Sequence, residues 1–179
     1  MTALRNWVSG ARPRTLPAAL SPVLVGTGAA AAVGGANPAR AILALIVAVA
    51  LQIGVNYAND YSDGIRGTDS SRIGPLRLVG SGMVAPETVR AAAFAAFAVA
   101  SVAGIALVVL TGSWWLLGVG GLALAAAWFY TGGRRPYGYH GLGELSVFVF
   151  FGLVAVIGTT YVQVGRVTPA SVVSGIAIG

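Results

Sequence analysis

The strongest constraint on this chain is the length of its uncharged stretches. No charged residue lies between Arg90 and Arg134, and charged residues make up only 9% of the chain against 56% apolar residues. A soluble domain carries about 25% charged residues. So few charges cannot cover a surface that faces water, and the sequence therefore predicts an integral membrane protein. The predicted fold class is all-α, a polytopic bundle of transmembrane helices.

Short turns and two polar loops divide the apolar sequence into about six predicted membrane spans. Five of them cover residues 15–33, 41–58, 88–110, 114–130 and 145–164, and a sixth begins after Pro169. That sixth run reaches only roughly 18 Å at ~1.5 Å per residue before Gly179, short of a ~30 Å bilayer core. We therefore expect residues 1–179 to form the N-terminal portion of one transmembrane domain, and this portion alone to be inactive.

The distribution of arginine predicts the orientation. All 11 basic residues are arginines, and the N-terminal segment and the two polar loops carry all of them except Arg40 and Arg166. Because cytoplasmic loops are enriched in basic residues, the N-terminus and both polar loops are predicted to be cytoplasmic, in a multi-pass protein of the cell's inner membrane. The net charge of +6 is then explained by arginines in cytoplasmic loops that face anionic lipid headgroups, so we expect no nucleic-acid partner.

An acidic cluster follows the second span. The chain holds five carboxylates, and three of them, Asp60, Asp63 and Asp69, fall within ten residues. On a helix, Asn56, Asn59, Asp60 and Asp63 share one face. Oxygen ligands without His or Cys suit Mg²⁺, which uses one or two carboxylates together with substrate phosphates. Asn59, Asp60, Asp63 and Asp69 are therefore the predicted metal ligands.

Three arginines near the cluster extend this interpretation to a phosphate ligand. Arg66, Arg72 and Arg77 offer planar guanidinium groups that match phosphate oxygens. Together with the carboxylates they predict a Mg²⁺–diphosphate site at the cytoplasmic end of a membrane cavity. The simpler alternative is a solvated helix end, since Asp and Asn are common at caps and turns.

Two other functions share parts of this pattern. Asp60-Tyr61-Ser62-Asp63-Gly64 matches the start of the CDP-alcohol phosphotransferase signature, but Gly67-Thr68, Ser81 and Ala85 depart from the rest of it. A transporter would use acidic residues to bind ions, although these lie at a helix end and we detect no inverted repeat.

The combined motifs resemble the UbiA-type intramembrane prenyltransferases, and most closely their 1,4-dihydroxy-2-naphthoate polyprenyltransferase branch of menaquinone synthesis. Asn59-Asp60-Tyr61-Ser62-Asp63, with Gly67 and Asp69, is similar to the family's first aspartate-rich motif. The segments that resemble its two cytoplasmic loops are 77–82, 130–136 and 138–144. The resemblance spans nearly the whole chain. It implies a single prenyltransferase domain of about nine helices, whose second aspartate-rich motif lies beyond Gly179.

The resemblance also implies a reaction. The family transfers a polyprenyl group from polyprenyl diphosphate to an aromatic acceptor with Mg²⁺ as cofactor. In the resembled branch the acceptor is dihydroxynaphthoate, CO₂ and diphosphate leave, and demethylmenaquinone forms. Asp60, Asp63, Asp69 and Tyr130 would then be catalytic residues. The substrate-binding residues would be Asn56, Asn59, Arg66, Arg72, Arg77 and Arg134.

Two of the implied positions need a closer description. Arg134 stands where the wider family has lysine, so it keeps the charge but cannot act as a base. Glu144 begins the fifth span, either as an acid that interacts with the helix dipole or as a catalytic group at the acceptor site.

Overall fold

The computed structural model describes residues 3–68 and 77–179. Within them all regular secondary structure is helical, with no strand, which confirms the predicted all-α class. The helices are α1 (Ala3–Gly10), α2 (Leu16–Ala31), α3 (Pro38–Arg66), α4 (Pro86–Thr111), α5 (Leu116–Phe129), α6 (Gly143–Val164) and α7 (Pro169–Ile178). Short 3₁₀ turns at Pro13–Thr15 and Tyr137–His140 connect some of them.

Three of the described helices, α3, α4 and α6, are long and apolar enough to cross a membrane. The first and fourth predicted spans are also helical but shorter. Their helices, α2 and α5, have 16 and 14 residues. At ~1.5 Å per residue these two cover roughly 24 and 21 Å. α4 begins at Pro86, two residues before the predicted span 88–110, with proline and Glu87 in its first turn.

The predicted end of the second span is wrong. We expected it near Ala58, but α3 continues through the polar cluster to Arg66 and ends at Gly67, whose φ of 70° is the left-handed conformation typical of a helix C-cap. The helix continues because its polar side chains face inward and find hydrogen-bond partners there. Asp60 and Asp63 therefore belong to a helix rather than to a loop.

The helices pack in two neighbouring groups. α3 packs along most of its length against α4, and α2 packs mainly against the C-terminal part of α6. The second contact is close: a Cβ added to Gly26 of α2 would lie 2.6 Å from the carbonyl oxygen of Val156. The Thr160 hydroxyl donates to the Gly26 carbonyl at 2.8 Å, so a backbone polar group of α2 is satisfied across this interface.

α6 contains a π-helical segment, Phe148–Val154, in its first half. Such segments hold one residue more than the same stretch of α-helix and often occur at functional sites. Here Phe150, Phe151 and Val154 line a cavity, while a Cβ on Gly152 would lie 2.6 Å from the carbonyl oxygen of Gly175 in α7. The segment thus faces the cavity on one side and its neighbouring helix on the other.

Candidate functional site

The polar residues of α3 lie on one buried face. Asn56, Asn59, Asp60 and Asp63 are 3%, 9%, 1% and 5% exposed, which confirms the face predicted from their spacing. Buried polar groups need partners, since an unsatisfied one costs about 1–3 kcal/mol. Three parts of the chain provide these partners: the N-terminal segment, the segment at 77–79, and the loop after α5.

Asp60 binds backbone. Its two carboxylate oxygens accept the amide hydrogens of Leu78 and Val79 at 2.8 and 2.9 Å. These bonds hold the segment that enters the α3–α4 interface, where Leu78 is fully buried. The predicted role of Asp60 as a metal ligand stays a prediction, and the two amide bonds compete with it.

Asp63 lies one turn nearer the C-terminal end of α3 and binds side chains instead. One carboxylate oxygen accepts a hydrogen bond from the Arg77 guanidinium at 3.1 Å. The other accepts one from the Tyr139 hydroxyl. Both donors belong to long side chains that can move, so Asp63 is the carboxylate of this face that can exchange partners.

The loop after α5 is fastened to the same end of α3. The Thr131 hydroxyl donates to the Asn59 side-chain oxygen at 2.6 Å. The Arg66 guanidinium donates to the carbonyl oxygens of Thr131 and Gly133 and lies 5.8 Å from the centre of the Tyr139 ring. These contacts join the loop after α5 to the polar end of α3.

The N-terminal segment covers the next part of the face. Asn56 donates to the Ala11 carbonyl oxygen at 2.8 Å and to the Thr15 hydroxyl at 3.0 Å, and Gln52 also donates to Thr15, at 3.1 Å. The Tyr57 hydroxyl donates to the Trp7 carbonyl oxygen at 3.0 Å. These bonds fix α1 and the following turn against α3.

A cavity of about 570 Å³ lies beside this face, enclosed mainly by α3, α4, α5 and α6. Its wall is largely Ala, Val, Leu and Gly, and no charged residue lines it among the described residues. Most of its polar side chains gather at one end. They are Gln52, Asn56, Asn59, Tyr130, Tyr137 and Ser146, while Ser101 and Thr159 also line the cavity. The cavity is therefore an apolar chamber with a neutral, hydrogen-bonding end next to Asp63.

Two tyrosines form part of that end. The rings of Tyr130 and Tyr137 meet edge to face, with centroids 5.5 Å apart. The Tyr137 hydroxyl donates to the Ala126 carbonyl oxygen at 2.8 Å and lies 3.0 Å from the Ser146 hydroxyl. Burial raises the pKa of Tyr137 above its ordinary value, so this phenol stays protonated and remains a donor at neutral pH.

The structure brings together most, but not all, of the predicted site residues. Asn56, Asn59 and Tyr130 line the cavity, and Asp63 with Arg66 and Arg77 lies beyond its polar end. Arg134 and Glu144 are exposed and do not line the cavity. Asp69 and Arg72 lie outside the described residues.

The sequence analysis missed several residues of the site. Tyr139, Tyr137, Thr131 and Gln52 all contact it. Tyr137 and Tyr139 had a usable signal, because they stand in a polar loop that is predicted to share a face with the acidic cluster. Thr131 and Gln52 had none, since their partners are distant in sequence.

The donor set fits a hard cation only in part. The described residues contain no group of three or more His, Asp or Glu side chains that could hold a metal ion. Mg²⁺ does not need such a cage when substrate phosphates supply the remaining ligands. Asp63 fits that requirement, because each of its carboxylate oxygens has one described partner and further acceptor capacity.

Comparisons with known proteins identify a family and several relatives. The model of the UbiA prenyltransferase family matches residues 19–179. The chain is similar to proteins named 1,4-dihydroxy-2-naphthoate octaprenyltransferase. Identity is 56% over 179 residues for Mycobacterium tuberculosis, 41% over 179 for Escherichia coli and 32% over 170 for Bacillus subtilis. The matches cover 100%, 97% and 93% of this chain, but only 61%, 58% and 54% of the respective relatives.

Proposed function

Because the chain belongs to the UbiA prenyltransferase family, we propose that the complete protein transfers a polyprenyl group from a polyprenyl diphosphate to 1,4-dihydroxy-2-naphthoate. The names of the relatives support this donor and acceptor class. The family match favours this function over a CDP-alcohol phosphotransferase or an ion transporter.

The observation that carries the proposal is the position of Asp63 relative to the cavity. Asn59 lines the polar end of the apolar chamber, and Asp63 follows it by four residues on the same buried face of α3, about 6 Å further along the axis. A polyprenyl diphosphate has the matching polarity, with a long apolar tail and an anionic head. The tail would occupy the chamber and the head would lie near Asp63.

The diphosphate end needs positive charge. Arg77 contacts Asp63 directly. Arg66 donates to the Thr131 carbonyl oxygen in the loop after α5. Mg²⁺, held by Asp63 and by Asp69 of the same motif, would supply a further positive charge to the departing diphosphate. The arginines orient the head group through their planar donors, which suit phosphate oxygens.

The chemistry then proceeds by loss of the leaving group. The allylic C–O bond breaks with its electron pair going to diphosphate, which leaves positive charge on the prenyl carbon. A ring carbon of the naphthoate forms the new C–C bond. That carbon carries the carboxyl group, and the electron pair of the bond to it returns to the ring as CO₂ and the carboxyl proton depart. The product is the prenylated 1,4-dihydroxynaphthalene, demethylmenaquinol, which a separate two-electron oxidation would convert to demethylmenaquinone.

An aromatic face can stabilise the developing cation, and the geometry favours Tyr130 for this role. Of Tyr57, Tyr61 and Tyr130, only Tyr130 lines the cavity. Tyr57 packs against Trp7 with ring centroids 5.5 Å apart, and Tyr61 stacks on Trp128 at 6.3 Å. The apolar wall excludes water that would otherwise capture the cation.

The orientation is also part of the proposal. The arginine distribution supports an inner-membrane protein whose N-terminus and active-site loops face the cytoplasm. The exposed Arg134 and Arg135 at the same end as Asp63 are consistent with contact to anionic headgroups.

The test uses membranes from cells that express the complete protein. They are incubated with Mg²⁺, a labelled polyprenyl diphosphate and dihydroxynaphthoate carrying a labelled carboxyl group. We expect label in a prenylated naphthoquinone and release of labelled CO₂ in equal amounts. If 4-hydroxybenzoate is prenylated in the same assay and the naphthoate is not, the proposed acceptor is wrong but the proposed reaction class is retained. Absence of any transfer would refute the proposal.

A further inference from the structure

Tyr139 contacts Asp63 but has no role in the reaction as proposed above. Its hydroxyl donates to one oxygen of the Asp63 carboxylate, while the other oxygen pairs with Arg77 at 3.1 Å. Tyr139 comes from the 3₁₀ turn Tyr137–His140, far from Asp63 in sequence. The carboxylate proposed to hold the diphosphate head through Mg²⁺ is thus oriented from two sides by different parts of the chain.

The turn that carries Tyr139 is itself held in place. Asn59 and Arg66 of α3 bind the preceding residues Thr131 and Gly133. The Arg66 guanidinium also lies over the Tyr139 ring, 5.8 Å from its centre. The ring is therefore supported separately from its hydroxyl, and the hydroxyl is left to bind Asp63.

Tyr139 remains accessible while it makes this contact. The residue is 50% exposed, whereas Asp63 is 5% exposed. A ligand arriving from the cytoplasmic side would meet the phenol before it meets the carboxylate. Its hydroxyl can donate either to Asp63, as it does here, or to a phosphate oxygen.

We propose that Tyr139 is a positioning residue for the diphosphate end of the substrate, acting through its hydroxyl on Asp63. This inference rests on the proposed function and assigns a task to a residue of the loop after α5. Tyr139 fixes the rotamer of Asp63 before the substrate arrives, which lowers the cost of ordering the site on binding.

The test compares Tyr139→Phe with Tyr139→Leu in the complete protein. Phenylalanine keeps the ring under Arg66 and removes only the hydroxyl. We expect Tyr139→Phe to raise KM for the polyprenyl diphosphate and the inhibition constant of inorganic pyrophosphate with Mg²⁺ by about tenfold each. KM for the naphthoate should not change. Tyr139→Leu should give the same increases or larger ones.

His140→Ala is the matched control, because His140 is exposed in the same turn and has no assigned part in the site. It should leave all three constants at their wild-type values. Equal losses for both substrates in Tyr139→Phe, or no change in either, would overturn the positioning role. Wild-type protein assayed in parallel separates this outcome from failure of the proposed function, in which the wild type itself transfers no prenyl group.

Discussion

The two ends of α3 both rely on polar residues, but they differ in what those residues bind. At the N-terminal end, Arg40 donates to the carbonyl oxygens of Leu110 at 3.1 Å and Val162 at 3.0 Å. These carbonyls belong to the last turns of α4 and α6, whose final C=O groups have no partner within their own helix. The Asn37 backbone adds a bond to the Gln163 side chain at 3.0 Å.

At the C-terminal end Asp60 and Arg66 also bind backbone groups. Asp63 differs from them, because its carboxylate is paired with the side chains of Arg77 and Tyr139. Backbone carbonyls cannot leave their helices, whereas long side chains can turn toward a ligand. The difference suggests that one end of α3 holds the bundle together and the other binds substrate, and each of the following changes tests that division.

The largest effect is expected from Asp63→Asn. It keeps the size and a hydrogen-bonding oxygen but removes the negative charge opposite Arg77 and the proposed ligand of Mg²⁺. We expect kcat/KM for prenyl transfer to fall by about 10²–10³-fold, with little change in thermal stability. Wild-type activity in this variant would remove the C-terminal end of α3 from the reaction.

Arg40→Ala should have the opposite profile. It leaves the ends of α4 and α6 without their charged donor, at a cost of about 2–3 kcal/mol in stability. Activity per folded molecule should stay near that of the wild type. Circular dichroism melting of detergent-solubilised protein measures the loss of stability. Arg40→Lys keeps the charge but not the planar guanidinium, so its stability should lie between that of the wild type and that of Arg40→Ala. A specific loss of kcat/KM without a loss of stability would break the comparison.

Thr131→Val sharpens the comparison by weakening one contact at the substrate end. Valine has nearly the shape of threonine but cannot donate to Asn59, whose buried side-chain oxygen then lacks that partner. We expect a loss of about 1–2 kcal/mol in stability. Because the loop that carries Tyr130 and Tyr139 is loosened, activity should fall as well. Thr111→Val, at the other end of the bundle, is the control and should leave activity unchanged.

The smallest effect concerns pH and Tyr137. Its raised pKa means that the native state holds the phenolic proton more tightly than the unfolded chain does. The associated stability is fully present below the unfolded pKa of about 10 and is lost as pH rises through the native pKa. The stability difference between wild type and Tyr137→Phe, about 1 kcal/mol, should be constant from about pH 7 to 9 and shrink above about pH 10. A difference that grows with alkaline pH would contradict this assignment.

The sequence was sufficient to predict the helices and the shared face of Asn56, Asn59, Asp60 and Asp63. Both depend on local periodicity, and polar residues stand out in so apolar a chain. It was not sufficient to predict that α3 runs on to Arg66. That extension depends on Thr131 and Tyr139, which come from a loop much later in the chain.

Most of the other contacts that the sequence did not predict are hydrogen bonds to backbone groups. Asp60 binds two amides, and Arg66 binds two carbonyls. Every residue has such groups, so no side-chain pattern marks which of them will be used. The residue types predicted a cluster of charged side chains, and Asp63 is paired with Arg77 there. The geometry shows in addition that Asp60 and Arg66 anchor neighbouring backbone segments.

The π-helical segment of α6 has a consequence for how the family can vary. One residue of an α-helix corresponds to about 100° of rotation, and the segment accommodates its extra residue between Ser146, at the polar end of the cavity, and Gly152, against α7. Deleting a single residue there would restore regular α-helix and turn Ser146 away from Tyr137. A one-residue change in length would therefore rotate the part of α6 that lines the cavity and leave its contact with α7 in place. Such a change gives evolution a route to new acceptors without a change in how the other helices pack.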